Sequence, residues 1–324
     1  MMQNLPLKTV VLGTGGTIAG LAANPAKSFN YTAAQVDVVD LIADLSTNTA
    51  STLVTEQVAQ VDSKDMTHAL WHTLALRCVY WLAQDDVQAI VITHGTDTLE
   101  ETAFFLQTLL KPKKPVVLTC AMRPANAPDA DGPQNLRDAL VVAAHPSASG
   151  VVVVCAGAVH SARDVQKVHA WRLDAFSSGG AGHLALLQAG VLQPLGSFHQ
   201  GHVATASAAA LADLSRWPAP AAWPRVEIVW SHAGAHPGAL QALLAQGVQG
   251  IVLAGTGNGR VHEALLPTLR QAQAAGVRVV VATRCADPQL LLADDAPPEF
   301  PDAGGLSPVK ARIALLLELL ATHV

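Results

Sequence analysis

The chain has 324 residues, half of them apolar and 14% charged, and its net charge at neutral pH is −5. That length fits two domains with an ample core, and an acidic chain with scattered Lys and Arg argues against nucleic acid as the main partner. No apolar run approaches the roughly 20 residues of a membrane span, and the start MMQNLPLKTVVLG lacks a signal peptide's long apolar region.

Lys8 to Leu12 reads as a first strand, followed by the glycine-rich run Gly13 to Gly20. Glycines let the chain turn sharply and let a ligand approach the main chain. A dinucleotide loop G-x-G-x-x-G starting at Gly13 would need a glycine at position 18, where Ile18 stands, so a cofactor is not expected. The alternative is a loop that presents Thr17 as a nucleophile, against the blander reading of a turn-stabilising hydroxyl. Tyr31 follows in the next loop, as a lid residue or a packing anchor. Ala33 to Leu45 has a helical pattern, and Thr52 to Gln60 reads as a strand. The turn Asp62-Ser63-Lys64-Asp65 leads into a long helix through Gln84, with Asp65 as its expected N-cap. His68 and His72 lie four apart on it, but Ala69 stands where a zinc-protease motif needs Glu, so both read as surface residues.

The stretch VITHGTDTLEET, Val91 to Thr102, is the strongest signal. An apolar run from Val87 ends in a polar turn, His94-Gly95-Thr96-Asp97, and a helical spacing with acids in its first turn follows. Ligands bind at such carboxyl ends of strands in open α/β sheets; the blander reading is that Asp97 only caps the helix. Pro115 to Thr119 is a further strand, ending in Cys120-Ala121-Met122-Arg123-Pro124. A helix starts near Pro133, and Val151 to Val154 is another strand. Regular alternation of this kind indicates a mostly parallel sheet flanked by helices. Arg172 to His202 suggests hairpins and a crossover. The expected division is an α/β domain over residues 1–203, a linker over 204–224 rich in Ala and Pro, and a smaller α/β domain over 225–324. In the last, Arg225–Trp230, Gly250–Leu253 and Val277–Ala282 read as strands. Gly238–Gln246, Val261–Ala274 and Pro308–Leu320 read as helices.

Three turns at strand carboxyl ends thus offer Thr17, Ser63 and Thr96-Asp97, and in a parallel sheet those ends share one edge. With Lys167 they make a plausible acyl-transfer site. A nearby ammonium lowers the cost of deprotonating a threonine, and the Gly95–Asp97 amides offer oxyanion donors. Asp97 is also suited to grip a substrate ammonium.

These residues resemble the bacterial-type L-asparaginases, which turn L-asparagine into L-aspartate and ammonia, some also acting on glutamine. The matching segments are Thr14 to Gly20, Asp62-Ser63 with Asp65-Met66, and His94 to Thr98 with Glu100 to Thr102. Ala121 to Pro124, Asp131 to Pro133, Arg163 to Val165 with Lys167, and Gly255 to Gly259 match too, so the similarity spans the chain. The resemblance implies that Thr17 is the nucleophile and Tyr31 its loop partner. Ser63 would bind the substrate carboxylate, Asp97 its amino group, and Ala121 would line the substrate site. Thr96, Asp97 and Lys167 would form an activating triad. Asn258 would reach the site of an adjacent subunit in a homotetramer of intimate dimers. No cofactor is implied.

Lys64 departs from the family, since many members carry a polar amide there. The acid that pairs with the loop tyrosine has no clear counterpart, leaving Asp287, Asp294, Asp295, Glu299 or none. Cys78, Cys120, Cys155 and Cys285 are far apart, indicating neither a zinc site nor a disulfide framework. Lys113 and Lys114 occupy the second half of the cysteine pair found in some secreted members, which fits a cytoplasmic protein. Two competing readings are the related subunit of a tRNA-dependent amidotransferase and an asparagine sensor. The first normally carries an extra N-terminal domain, whereas seven residues precede Lys8; the second has no need of a nucleophile.

Overall fold

The computed structural model describes residues 7–26, 29–43, 45, 51–198, 214–291 and 299–322. Chain packing divides the protein into two units, Met1–Val203 and Ala204–Val324.

In the first unit, β1 (Lys8–Gly15) runs into a 3-10 turn at Thr17–Ala19, then β2 (Leu21–Ala22) and β3 (Tyr31–Thr32). A short α1 (Val38–Leu41), β4 (Thr52–Val61), α2 (His68–Leu82), β5 (Val87–Thr93), α3 (Leu99–Leu110), β6 (Val116–Thr119), α4 (Gly132–Ala143) and β7 (Val151–Cys155) follow. Then come β8 (Ala158–Ser161), β9 (Gln166–Lys167), β10 (Phe176–Ser177), β11 (Ala185–Gln188) and β12 (Val191–Pro194). The main sheet has eight strands in the order β12-β11-β8-β7-β6-β5-β1-β4. Pairing is parallel from β4 to β7 and antiparallel from β7 to β12. The expected mostly parallel sheet is present, with an antiparallel end built from hairpins.

The β-branched runs in β1, β5, β6 and β7 are buried on both faces, which is why they read as continuous apolar stretches without alternation. Val11, Val91, Val117 and Val152 pack with Leu136, Ala139 and Ala143 of α4 and with Val38 of α1. The alternate residues Val10, Leu12, Ile90, Ile92 and Leu118 are fully buried as well; period 2 sends them to the opposite face. Trp71 of α2 and Phe105 of α3 stack at 5.0 Å between centroids. Each such side chain contributes roughly 1.5–3 kcal/mol on burial, so the strand ends rest on a rigid base.

Two expected elements differ. The helical pattern from Ala33 to Leu45 yields only α1, with residues 44 and 46–50 outside the described set. Ala34 sits at φ 57°, and the amides of residues 34, 35 and 36 donate to the carbonyls of Gly16 and Ala19 rather than along a helix. That stretch braces the Thr17 turn. Asp65 is not the N-cap of α2: it lies in the 3-10 turn Ser63–Asp65, whose own cap is Asp62, and Thr67 caps α2 by accepting from the Leu70 amide.

In the second unit, β13 (Val226–Trp230), α5 (Gly238–Ala245), β14 (Gly250–Gly255), α6 (Leu266–Ala274), β15 (Arg278–Thr283) and α7 (Pro308–Ala321) form a parallel β13-β14-β15 sheet with helices. Leu240, Ile251, Leu253, Leu269 and Val279 are its core. Of the segment expected as a linker, residues 204–213 lie outside the described set. Leu214–Arg216 and Pro220–Ala222 are 3-10 turns, and Trp217 and Trp223 are buried edge to face at 5.3 Å. No described helix is long and apolar enough to cross a membrane.

Candidate active site

β1 and β5 are neighbours, with Gly13 opposite Thr93, so the turns that follow them meet. The Thr14 hydroxyl donates to the Thr93 carbonyl at 2.8 Å. Gly16, at φ 81°, has no room for a side chain, because a Cβ there would lie 2.3 Å from both the nitrogen and Cα of Gly95. Ile18 and Ala19 form a small buried cluster with Ala121, which follows β6. Three strand ends are thereby gathered around Thr17.

Thr17 is 6% exposed, and its Oγ1 lies 2.7 Å from the Tyr31 hydroxyl. β3 holds Tyr31 by pairing with β2, Ala22 opposite Tyr31. The Tyr31 ring passes over Gly20, where a Cβ would lie 2.9 Å from Cδ2.

The Lys167 ammonium donates to Thr96 Oγ1 at 2.8 Å and to Asp97 Oδ1 at 2.6 Å. An ammonium has no acceptor, so Thr96 Oγ1 accepts here and its own hydrogen is left to point elsewhere. Asp97 is therefore an ion-pair partner and not the helix cap; Thr98 occupies the cap position of α3. The Asp97 side chain is 53% exposed, so this pair adds little stability and serves to fix geometry. The backbone amide of Lys167 donates to Glu100 Oε2.

Ser63 is 2% exposed. Its Oγ accepts from the Asp97 amide at 3.2 Å, and its carbonyl accepts from Thr98 Oγ1 at 2.7 Å. The Asp97 amide is thus engaged by Ser63, which removes it from the expected Gly95–Asp97 oxyanion donors. Lys64 is salt-bridged to Asp65 and Asp62 at 2.6 and 3.2 Å, and both partners raise its pKa.

Behind the turn, His94 is fully buried. Its Nδ1 faces the Gly95 carbonyl at 2.7 Å, so Nδ1 carries the hydrogen. Nε2 then accepts from the Thr102 hydroxyl at 2.9 Å, and Thr102 accepts from Trp71 Nε1 at 2.9 Å. The network assigns a single neutral tautomer, and burial pushes the His94 pKa down to about 4. His94 is a brace for the Gly95 peptide. Similarly, Asp131 accepts from the Met122 and Arg123 amides and from Asn135 Nδ2, fixing the loop after Ala121.

In the second unit, Asn258 tops a tight turn in which Thr256 and Arg260 exchange backbone hydrogen bonds at 2.8 Å. Its amide donates to the Leu291 carbonyl and accepts from the Leu291 amide, both at 2.8 Å. Among the candidate acids, Glu299 is paired with Arg270, whose guanidinium holds that carboxyl below its ordinary range. Asp287 is exposed, and Asp294 and Asp295 lie outside the described residues.

Thr17 and Tyr31 therefore come together, as do Thr96, Asp97 and Lys167, with Ser63 and Ala121 alongside. Sequence reading missed Glu100, His94 with its network, and Asp131 as braces. Their partners lie on other elements, and the nearest available signal was the acid-rich first turn of α3.

The arrangement offers a hydroxyl nucleophile beside a phenol, and a second hydroxyl beside a cation and a carboxylate. The family model described as "Asparaginase, N-terminal" matches residues 8–195, and "Glutaminase/Asparaginase C-terminal domain" matches residues 225–323. L-asparaginase 2 of Escherichia coli is 37% identical over 96% of this chain and 88% of that protein. The glutaminase-asparaginase of Pseudomonas aeruginosa is 34% identical over 97% of this chain and 86% of that protein. The crystal structure of a probable cytoplasmic L-asparaginase from Campylobacter jejuni superposes with a TM-score of 0.84 at 34% identity, covering 97% of this chain and 95% of that one.

Proposed function

The chain belongs to the asparaginase family, and on that premise we propose that it is an L-asparagine amidohydrolase with some activity on L-glutamine. The reaction yields L-aspartate and ammonia through an ester on Thr17. The observation that carries this reading is the pairing of two activated hydroxyls on adjacent strand ends: Thr17 with Tyr31 at 2.7 Å, and Thr96 with Lys167 at 2.8 Å.

Thr17 Oγ1 attacks the side-chain amide carbon. Its proton passes through the neighbouring hydroxyls to the leaving nitrogen, and ammonia departs. In the second half, the water that opens the ester gives a proton to Thr96 Oγ1, whose own proton passes through the neighbouring hydroxyls to the departing Thr17 Oγ1. The Lys167 ammonium stabilises the negative charge that builds on Thr96. The developing oxyanion is assigned to the Gly95 and Thr96 amides. Ser63 receives the substrate carboxylate and Asp97 its amino group, a charge-assisted pair, with the Ala121 loop lining the same site. One methylene separates asparagine from glutamine, worth about 1–3 kcal/mol in a pocket, so discrimination between them is one of rate rather than exclusion.

Four unbridged cysteines support a cytoplasmic location. Asn258 is assigned to a neighbouring subunit's site in a homotetramer. The test of the reaction is Thr17→Ala: ammonia release from asparagine should vanish while the melting temperature holds. Near-wild-type release would remove Thr17 as the nucleophile. In Thr17→Ser, a trapped ester seen by intact mass after a rapid acid quench would support the covalent step.

A further inference from the structure

Residues 123–126 form a platform under both sides of the β2–β3 hairpin. On the β2 side, Asn126 clasps Ala22, accepting from its amide at 2.9 Å and donating to its carbonyl at 2.8 Å, and the Ala125 amide donates to the Gly20 carbonyl at 2.8 Å. On the β3 side, the Arg123 guanidinium lies 4.8 Å from the centroid of the Phe29 ring, two residues before Tyr31. The same guanidinium donates to the Trp171 carbonyl at 3.1 Å and to Asp129 at 3.4 Å. The Arg123 side chain is 12% exposed, whereas Phe29 is 71% exposed. An apolar ring this open gains little from the core, so its position depends on the cation beneath it. A ladder of two residue pairs is too short to hold β3 alone, and Tyr31 is itself 37% exposed.

We propose that Arg123 is a positioning residue: anchored on Trp171 and Asp129, it latches Phe29 and thereby holds the Tyr31 hydroxyl on Thr17. The catalytic part of this inference rests on the proposed roles of Thr17 and Tyr31; the latch itself does not. An exposed cation–π contact is weak, so the latch shifts the population of the Tyr31 conformation rather than creating it. Losing it should lower kcat/KM for asparagine roughly three- to fivefold.

The test compares Arg123→Ala, Phe29→Ala, the double variant and Phe29→Trp in steady-state ammonia release. It also follows chymotryptic cleavage after Phe29 in wild type and Arg123→Ala. Each alanine variant should lose a similar factor, the double variant should lose no more than either, and Phe29→Trp should retain wild-type kcat/KM. Cleavage after Phe29 should accelerate in Arg123→Ala. Multiplying effects, a silent Phe29→Ala or unchanged cleavage would each overturn the latch, leaving Arg123 a structural anchor for Trp171 and Asp129. Phe29→Ala removes only a surface ring, so the comparison survives a poorly folding Arg123 variant. Because cleavage needs no turnover, a failure of the Thr17 assignment would not be mistaken for a failure of the latch.

Discussion

Gly16 and Gly95 touch backbone to backbone: a Cβ on Gly16 would lie 2.3 Å from the Gly95 Cα, and one on Gly95 would lie 2.5 Å from Ser63 Oγ. This contact locks the Thr17 turn against the Thr96 turn. Gly16→Ala adds a clash with backbone to the strain of a left-handed φ, itself about 1–3 kcal/mol. It should lower the melting temperature by several degrees and abolish ammonia release. Gly95→Ala has no such φ strain, but its Cβ would lie 2.5 Å from Ser63 Oγ and 2.7 Å from Ser63 Cβ. It should therefore displace the buried Ser63, lowering the melting temperature as well as raising KM. A Gly16→Ala protein with wild-type melting and turnover would show that the two turns can part freely.

Lys167 should act on the rate more than on binding. Its ammonium faces Thr96 and Asp97, and removing the charge in Lys167→Met withdraws the group that favours an activated hydroxyl. Steady-state kinetics should give a fall in kcat of about 100-fold or more with a smaller change in KM. A pure KM effect would move Lys167 to substrate binding.

Glu100 should matter through Lys167. Its carboxylate accepts the Lys167 backbone amide across 67 residues of sequence, a charge-assisted bond worth about 1.5–3 kcal/mol. Glu100→Ala should reduce kcat roughly tenfold or more, because the backbone that carries the ammonium is released. Glu100→Gln keeps an acceptor oxygen and should restore most of it. Equal losses in the two variants would mean that the negative charge, not the bond, is what counts.

His94 sets a pH dependence with a definite sign. The unfolded chain takes up this proton near pH 6.5, the folded chain only near pH 4, because the ring is buried neutral. Between those values the unfolded state binds more protons. The stabilisation is therefore complete above pH 6.5 and is lost as pH falls toward 4, by about 3 kcal/mol. Urea unfolding of wild type and His94→Gln across this range should give converging curves as pH drops, since the glutamine does not titrate. Parallel curves would mean that His94 is protonated in the folded protein.

How much of this was legible depended on the range of the interaction. The turn at His94-Gly95-Thr96-Asp97 was legible because a buried apolar strand changes to helical spacing within a few residues. Thr17 and Thr96 could be brought together because parallel strands put their ends on one edge. The helix expected from Ala33 begins only at Val38, since the amides of residues 34–36 go to Gly16 and Ala19, partners that no local pattern reveals. The bonds from Glu100 to the Lys167 amide and from Arg123 to Phe29 were hidden for the same reason. The antiparallel end of the sheet was also missed in detail, because β8, β11 and β12 are four-residue strands, and β9 and β10 intervene between β8 and its partner β11. Their alternation is too short to fix a direction.

Asn258 carries the last prediction. It lies in the second unit, while Thr17, Thr96, Asp97 and Lys167 lie in the first, and its proposed task is to complete the site of an adjacent subunit. Within one chain its amide bonds both the carbonyl and the amide of Leu291. An amide has two donor hydrogens and two acceptor lone pairs, so one of each remains for a ligand while the Leu291 clasp fixes its orientation. If Asn258 serves in trans, activity needs at least a dimer, and a pocket is intact whenever wild-type Thr17 and wild-type Asn258 face each other across subunits. The experiment mixes inactive Thr17→Ala with inactive Asn258→Ala protein, dissociates them and allows reassembly, with mixed oligomers verified by differential tagging. Half of the pockets in a mixed dimer then hold both wild-type residues, so ammonia release should return toward half of the wild-type value per dimer. If Asn258 instead serves its own chain, mixing gives every pocket one lesion and no activity returns. Verified mixed oligomers without activity would thus overturn the trans assignment and leave Asn258 as a clasp for Leu291.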